Sequence, residues 1–339
     1  MTIPIGITAR NEAANIRSLL ASLRTSVAAA ESALPVRFEL HLLLNDNEDD
    51  TERLLAGQPG LTIWHTRGGL VEAQRTLVNA RPNAPFLIFA DADIRIHPAT
   101  ITELTQALLT NPAIQIAYAE KTPLPPLRRS PLARSLYLYN LREGYQTRRN
   151  YCNGQCFAIR RWHIPSPAAL RWDPAADNRF LNLAAGIRTD DIYLSRELLQ
   201  RAGPDAFFCT PSAIAYRPPE TLRGMFRKYQ RMRLEIERLH HYFPQTRPAH
   251  DRWGRRRPDR SLLAAAPLHE KAYYLLFQSA LLLCKAGYHA QRLWYSRFAA
   301  TFEVVFAGFG DCLHHIFQAN HQFGFFEAVG VVAPGSGDK

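Results

Sequence analysis

Four times in its first 120 residues the chain passes from a short apolar run into a segment of helical periodicity. "IPIGIT", "FELHLLLND", "LTIWHT" and "PFLIFADAD" read as strands, and "AIQIAYAE" as a fifth. Between them lie helical patterns. "NEAANIRSLLASLRTSVAAAESA" sets Ile16, Leu19, Leu20 and Leu23 at helical spacing. A helix opens at Asp49, Asp50 and Thr51 and reaches about Ala56; "GLVEAQRTLVNA" and "PATITELTQALLTN" follow. Strand and helix in regular alternation predict an α/β layer fold with a mostly parallel sheet. In such sheets ligands bind outside the carboxyl ends of the strands.

That rule draws attention to the strand ends. "FLIFADADIRI" places Asp91 and Asp93 where an apolar strand stops. Residues two apart on a strand point the same way. Carboxylates that close repel, and a bound cation relieves the repulsion. Oxygen ligands suit Mg²⁺ or Mn²⁺, which also bridge phosphates. In "LLLNDNEDDT", Asn45 and Asp46 end a second strand and can hydrogen-bond a nucleobase edge or ribose hydroxyls. Asp49 and Asp50 read as helix caps.

"TARNEA" closes the first strand, and here the chain resembles a family. "TARNEAANI", "LLLNDNEDDT", "GLVEAQRTLVNA", "FADADIRIHPATI", "NGQCFAIRR", "TDDIYLSREL" and "YQRMRLE" occur in the order and spacing of family 2 glycosyltransferases. The resemblance runs from Ile3 to Leu234. It implies the GT-A fold, a Rossmann-like, mostly parallel mixed sheet flanked by helices, here with a C-terminal helical extension. It also implies an inverting transfer of a hexosyl group from a nucleotide-diphospho-sugar, a UDP-sugar by preference, to an acceptor hydroxyl.

The resemblance also implies roles for single residues. Asp91 and Asp93 match the D-x-D that holds a divalent ion and the donor's ribose-diphosphate, with Asp93 as direct metal ligand. Thr8, Ala9 and Glu12 match the segment lining the nucleotide pocket. Asn45 falls where the family has the second Asp of a pair that contacts the base; a gap of one residue gives that role to Asp46. Gln74 and Arg75 stand where the family has Arg-Asn beside the donor. In "TDD", Asp191 matches the catalytic base, which takes the proton of the attacking hydroxyl; the alternative for Asp190 and Asp191 is a helix cap. Gln230 and Arg233 match the Gln and Arg of a Gln-x-x-Arg-Trp motif, and being three apart on a helix they could bind diphosphate or close over the donor. The motif's Trp is replaced by Leu234, which weakens an inference towards a processive enzyme.

Two other readings compete. A nucleotidyltransferase would need a Gly-rich basic loop where "TARNEA" stands. A degenerate, non-catalytic binding protein is favoured by the departures at Asn45, Gln74 and Leu234. Glycoside hydrolysis needs carboxylates on two faces of a sugar, and Asp91 and Asp93 are too close in sequence for that.

The net charge of +11 predicts an anionic partner. Thr221–Arg260 holds twelve basic and four acidic residues, a surplus of eight. Beside "AYYLLFQSALLLC" this favours contact with a membrane surface or an anionic acceptor over nucleic acid, for which no motif is present. That apolar run, Ala272 to Cys284, is too short to span a bilayer. With five cysteines in no framework and no secretory signal, the expected location is cytoplasmic, with room for a peripheral place at the inner membrane face. The expected division is a catalytic domain over 1–220 and a basic, mainly helical region over 221–339, whose tail ends in "PGSGDK" and could present a dimer face. The adjacent pairs His240-His241 and His314-His315 diverge by about 100° on a helix and chelate poorly. His97 lies near the D-x-D.

Overall fold

The computed structural model describes residues 1–146, 151–165, 189–254 and 259–294. Cys312, His314-His315, the end of the helical tail and most of the loop "IPSPAALRWDPAAD" lie outside these residues. The chain forms two compact units, Met1–Arg171 with Ala185–Leu281, and Trp172–Ala184 with Leu282–Lys339. Of the second, the described part is the last half of the long helix α8.

The first unit is built on eight strands: β1 Thr2–Ala9, β2 Arg37–Asn45, β3 Leu61–Thr66, β4 Leu87–Asp91, β5 Ile94–Arg95, β6 Ile116–Pro123, β7 Cys156–Ile159 and β8 Phe207–Tyr216. Their order is β3-β2-β1-β4-β7-β6-β8-β5. The expected mixed sheet is present. β3, β2, β1 and β4 are mutually parallel, and β6 and β8 are parallel to each other. β7 lies antiparallel between β4 and β6, and β5 antiparallel beside β8. The helices are α1 Ile16–Ala33, α2 Leu70–Ala80, α3 Thr100–Thr110, α4 Pro131–Leu141, α5 Asp190–Ala202, α6 Leu222–Tyr242, α7 Arg260–Ala265 and α8 Leu268–Trp294.

Strand alternation explains why both faces of the sheet are covered. Ile5, Ile7, Leu42, Leu44, Ile88 and Ala90 pack in one core with Ile16, Leu19 and Leu23 of α1 and Ile101 and Leu104 of α3. The opposite phase, Leu43, Leu87 and Phe89, packs with Val71 and Leu77 of α2 and Ile192 and Leu198 of α5. A strand buried on both sides has to be apolar almost throughout, as "LLL" of β2 and "FLIFA" are.

One expected helix is absent. After Thr51 there is a single tight turn, Arg53–Leu55. The side chains that would cap a helix there serve another purpose. Asp49 accepts from the amide of Ala13 at 2.9 Å and from Thr51, whose hydroxyl accepts from the amide of Glu12 at 2.8 Å. Asn11, in the left-handed region at φ 57°, accepts from the amide of Glu48 and donates its own to Asn47. The loops after β1 and β2 are thereby tied into one piece. Asp50 forms an exposed pair with Arg53.

Among the described residues, no helix is long and apolar enough to cross a membrane.

Candidate active site

The strand order fixes where a crevice opens. From β1 the chain steps outwards through β2 to β3, then returns to place β4 on the other side of β1. The carboxyl ends of β1 and β4 therefore meet at a switch point, where doubly wound sheets bind ligands. Thr8 and Asp91 are paired in register there, and the Thr8 hydroxyl donates to Asp91 Oδ1 at 3.3 Å. Asp91 is in phase with Leu87 and Phe89, on the side covered by α2 and α5. The amide of Asp91 donates to the Gln155 carbonyl at 2.8 Å, which ties the strand end to the loop before β7.

The second acid pair arrives on α5. Asp190 and Asp191 occupy its first turn, where they complement the helix dipole; the cap residue itself is Thr189. Asp190 is buried, and Gln74 Nε2 donates to its Oδ2 at 2.5 Å. The other end of the Gln74 amide accepts from Trp162 Nε1 at 3.0 Å. Gln74 itself is 1% exposed. The structure thus places Gln74 beneath the site, holding Asp190. Its neighbour Arg75 donates to the carbonyls of Ile164 and Pro165 and lies over the ring of Trp162.

Asp191 is half-buried. Its Oδ1 accepts from the amide of Ile192 at 2.8 Å and its Oδ2 from that of Gly154 at 3.3 Å. That approach requires a glycine. A Cβ at position 154 would stand 2.9 Å from Asp191 Cβ and 3.1 Å from its Cγ.

The carboxyls bear on one another unevenly. Asp91 is pushed well above the usual carboxylate range by burial first, then by the charges of Asp93, Asp190 and Asp191, with the Thr8 hydroxyl opposing. Asp190 is raised by burial and by Asp191, against the Gln74 hydrogen bond. Asp191 is raised by burial; the amides of Ile192 and Gly154 and the charges of Lys121 and Arg231 work against it. Asp93, at the open mouth, is raised by desolvation against the crevice wall and lowered by Lys228 and Arg231. Glu12 is raised by partial burial, an effect the Asn15 hydrogen bond opposes and Asp93 and Asp49 reinforce.

A cationic side faces these acids. Lys121 lies near the end of β6 and Lys228 on α6, with their amines 5.5 and 5.9 Å from the ring centre of Tyr216. Arg231, one turn beyond Lys228, acts on both Asp93 and Asp191. Arg233, the expected diphosphate ligand, lies elsewhere. It pairs with Glu237 at 3.3 Å and its charge bears on His240. Two residues along a helix are about 200° apart, so Arg231 and Arg233 point to opposite sides. Gln230, half-buried, lies nearer the Arg233 side.

The remaining expected residues ring the strand ends. Ala9 is buried at the end of β1. Asn45 is buried, and its Oδ1 accepts from the amide of Gly69 at 2.9 Å. It anchors the turn into α2, where Gly68 and Gly69 hold φ of 92° and 97°, a region other residues rarely enter. Asp46 is exposed at φ 44° and accepts from the Gly68 amide at 3.4 Å. His97 accepts from the amide of Ala99 and so serves the turn into α3.

Among the described residues, no three His, Cys, Asp or Glu side chains converge as a metal-binding set. Asp91 and Asp93 still fit a divalent ion of the Mg²⁺ or Mn²⁺ kind. They are oxygen donors, both raised by desolvation and Asp91 also by the charge of Asp93, and such ions keep several sites for water and substrate phosphate.

No known protein-family profile matches the chain. No functionally described protein matches it in sequence. Solved structures with a similar fold include glucosyl-3-phosphoglycerate synthase from Mycobacterium tuberculosis. In complex with phosphoglyceric acid it is 18% identical, with 71% of this chain and 79% of that one covered at a TM-score of 0.45. In complex with Mn²⁺, uridine diphosphate and glucosyl-3-phosphoglycerate it is 20% identical over the same shares, also at 0.45. With Mg²⁺ and uridine diphosphate it is 20% identical, covering 70% and 79%, at 0.45.

Proposed function

We propose that this chain is an inverting glycosyltransferase that moves a hexosyl group from a nucleotide-diphospho-sugar to an acceptor hydroxyl. One observation carries the reading. Two acid pairs, Asp91 with Asp93 and Asp190 with Asp191, meet in a crevice at the switch point of the sheet, all four raised by burial and Asp91 and Asp190 further by their neighbours' charges, and they are faced by Lys121, Lys228 and Arg231. Acids there suit a cation, and cations there suit phosphate.

In this reading Asp93, with Asp91, holds Mn²⁺ or Mg²⁺. When bound, the ion offsets the charge of the leaving diphosphate. Lys228 and Arg231 bind the diphosphate in the place expected of Arg233. Thr8 and Glu12 line the nucleotide side, and exposed Asp46 meets the base while Asn45 holds the turn behind it. Asp191 takes the acceptor's proton. Burial makes it more basic than a solvated carboxylate, and two backbone amides fix its orientation. Gln74 acts through Asp190 as a positioning residue. A single displacement on the face opposite the diphosphate inverts the anomeric centre.

The test combines thermal stabilisation with release of nucleoside diphosphate, using Mn²⁺ and a panel of nucleotide sugars. The expected result is a rise in Tm that needs both metal and one donor, with diphosphate release. If no nucleotide sugar moves the melting curve in the presence of metal, the reading is wrong. Stabilisation without release, across a broad acceptor panel, would favour the non-catalytic alternative.

Gly154→Ala probes the geometry separately. The added methyl meets the Asp191 side chain at 2.9 Å, so the carboxyl or the loop before β7 has to shift by a few tenths of an ångström or more. Displacements of this kind cost up to about 10²-fold in rate. The expected result is a fall in kcat of about 10- to 100-fold, with donor-induced stabilisation retained. Unchanged kcat would remove Asp191 from the proton transfer.

A further inference from the structure

Helix α8 presents an apolar side to solvent. Leu268, Leu275 and Leu282 recur at intervals of seven, and Leu276 and Leu283 repeat one position on. Their exposures are 84, 65, 63, 37 and 62% respectively. Ala272, Ser279 and Ala286 lie among them and are exposed as well. At 100° per residue these eight positions fall within about 120° of arc. In the first unit the other side of the helix is a packed face. Phe277 and Ala280 are buried there, and Glu270 is held by Arg142 at 2.8 Å and by the Tyr145 hydroxyl at 2.6 Å. Single exposed leucines are ordinary on a protein surface; five in one stripe mark an interaction site.

The border of the stripe indicates the partner. Lys271, Gln278 and Lys285 form a row along one edge, by the same helical spacing. Glu270 is the only acidic residue of α8, and it lies on the packed side. A second copy docked through this stripe would bring lysine rows together with no carboxylate of α8 to pair with them, whereas helices that pair usually flank their seam with both signs. A surface of anionic headgroups has the complementary charge, and the chain's net charge of +11 has the same sense. No described helix can cross a membrane, so α8 would lie along the surface.

We infer that the leucine stripe of α8 docks on a bilayer containing anionic lipid, its leucines entering the boundary between headgroups and acyl chains. Lys285, exposed on this edge, meets the headgroup phosphates; Lys271 is half-buried, with its amine donating to the Ala264 carbonyl at 2.8 Å. This contact does not depend on the transferase reading.

The experiment is flotation of the full chain with phosphatidylcholine vesicles, with and without phosphatidylglycerol. The bound fraction should be about tenfold or more higher on the anionic vesicles and should fall with added salt. The double variant Leu275→Glu/Leu282→Glu should lose vesicle binding. Lys285→Gln should weaken the preference for anionic lipid. Both should keep the melting curve and circular dichroism of the parent, since they change exposed positions. Equal binding to neutral vesicles, or no binding to either, would overturn the inference. So would a stable dimer on size exclusion that Leu275→Glu dissociates, which would assign the stripe to a second copy.

Discussion

Asp191→Asn should lower kcat by about 10²- to 10⁴-fold, the usual range for removing a positioned general base. The substitution keeps the shape of the side chain, and its carbonyl oxygen can still accept from Gly154 or Ile192. Binding of donor with metal should therefore survive, and the Tm rise with it. The loss should appear at saturating donor and acceptor, in kcat rather than in KM. In the parent enzyme the acidic limb of the rate profile should lie above the usual carboxylate range, because burial raises Asp191. The base must be unprotonated to work, so activity falls as pH drops through that raised value. The neighbouring pair titrates together, so the limb belongs to Asp190 and Asp191 jointly. If the variant turns over like the parent, another group takes the proton.

Asp91→Asn should make the metal-free protein more stable while abolishing its response to metal. Asp91 is raised by burial and by three like charges, so its ionised form is disfavoured in the folded chain. The sign follows from linkage. The folded state keeps this proton at a pH where the unfolded chain has released it. The contribution to stability is therefore fully present below about pH 4, the unfolded carboxylate value, and is lost as pH rises through the folded value. Asn carries no charge to penalise. The Tm difference between variant and parent should be small near pH 4 and widen towards neutral pH, to a few degrees if about 1–3 kcal/mol is involved. Mn²⁺ should raise the Tm of the parent at neutral pH and leave that of the variant nearly unchanged. Scanning calorimetry across pH, with and without the ion, measures all of this. A variant less stable than the parent at neutral pH would show that hydrogen bonding at Asp91 outweighs repulsion.

The layer fold was legible because the central strands are apolar on both faces and the helices that cover them on one. "HLLL" and "FLIFA" could be read without knowing their partners, and so could the acids at their ends. What the sequence hid was side-chain direction within the irregular segments. Asp49 looks like a helix cap, but it closes a loop that forms only when β1 and β2 lie side by side. Gln74 looks like a ligand contact because it sits beside Arg75 in a matching motif, yet its hydrogen-bond partners, Trp162 and Asp190, are remote in sequence. In α6, the matched arginine is two positions from the one that acts on the acids. The motif fixes the helix, and packing fixes its rotation. Period alone could have offered Lys228 and Arg231 as one face, but only the placement of α6 against the crevice selects that face. Gly154 left a trace in "NGQC", though nothing there indicated Asp191 as its neighbour.

The antiparallel insertion of β7 also bears on the timing of folding. β1 to β4 can pair as soon as the chain has been made as far as Asp91, and domains tend to form in the order of synthesis. At that stage Asp91 has Thr8 as a partner but neither Asp190 nor Asp191. Those charges arrive only after β7 has entered beside β4 and α5 has closed over it. The share of the repulsion that comes from Asp190 and Asp191 is thus added late, whereas that of Asp93 is present as soon as β4 has formed. Relieving the repulsion, by Asp91→Asn or by a bound ion, should slow unfolding by the late share and speed refolding at most by the early one. A cation in this crevice would then act as a kinetic latch, lengthening the lifetime of the folded chain.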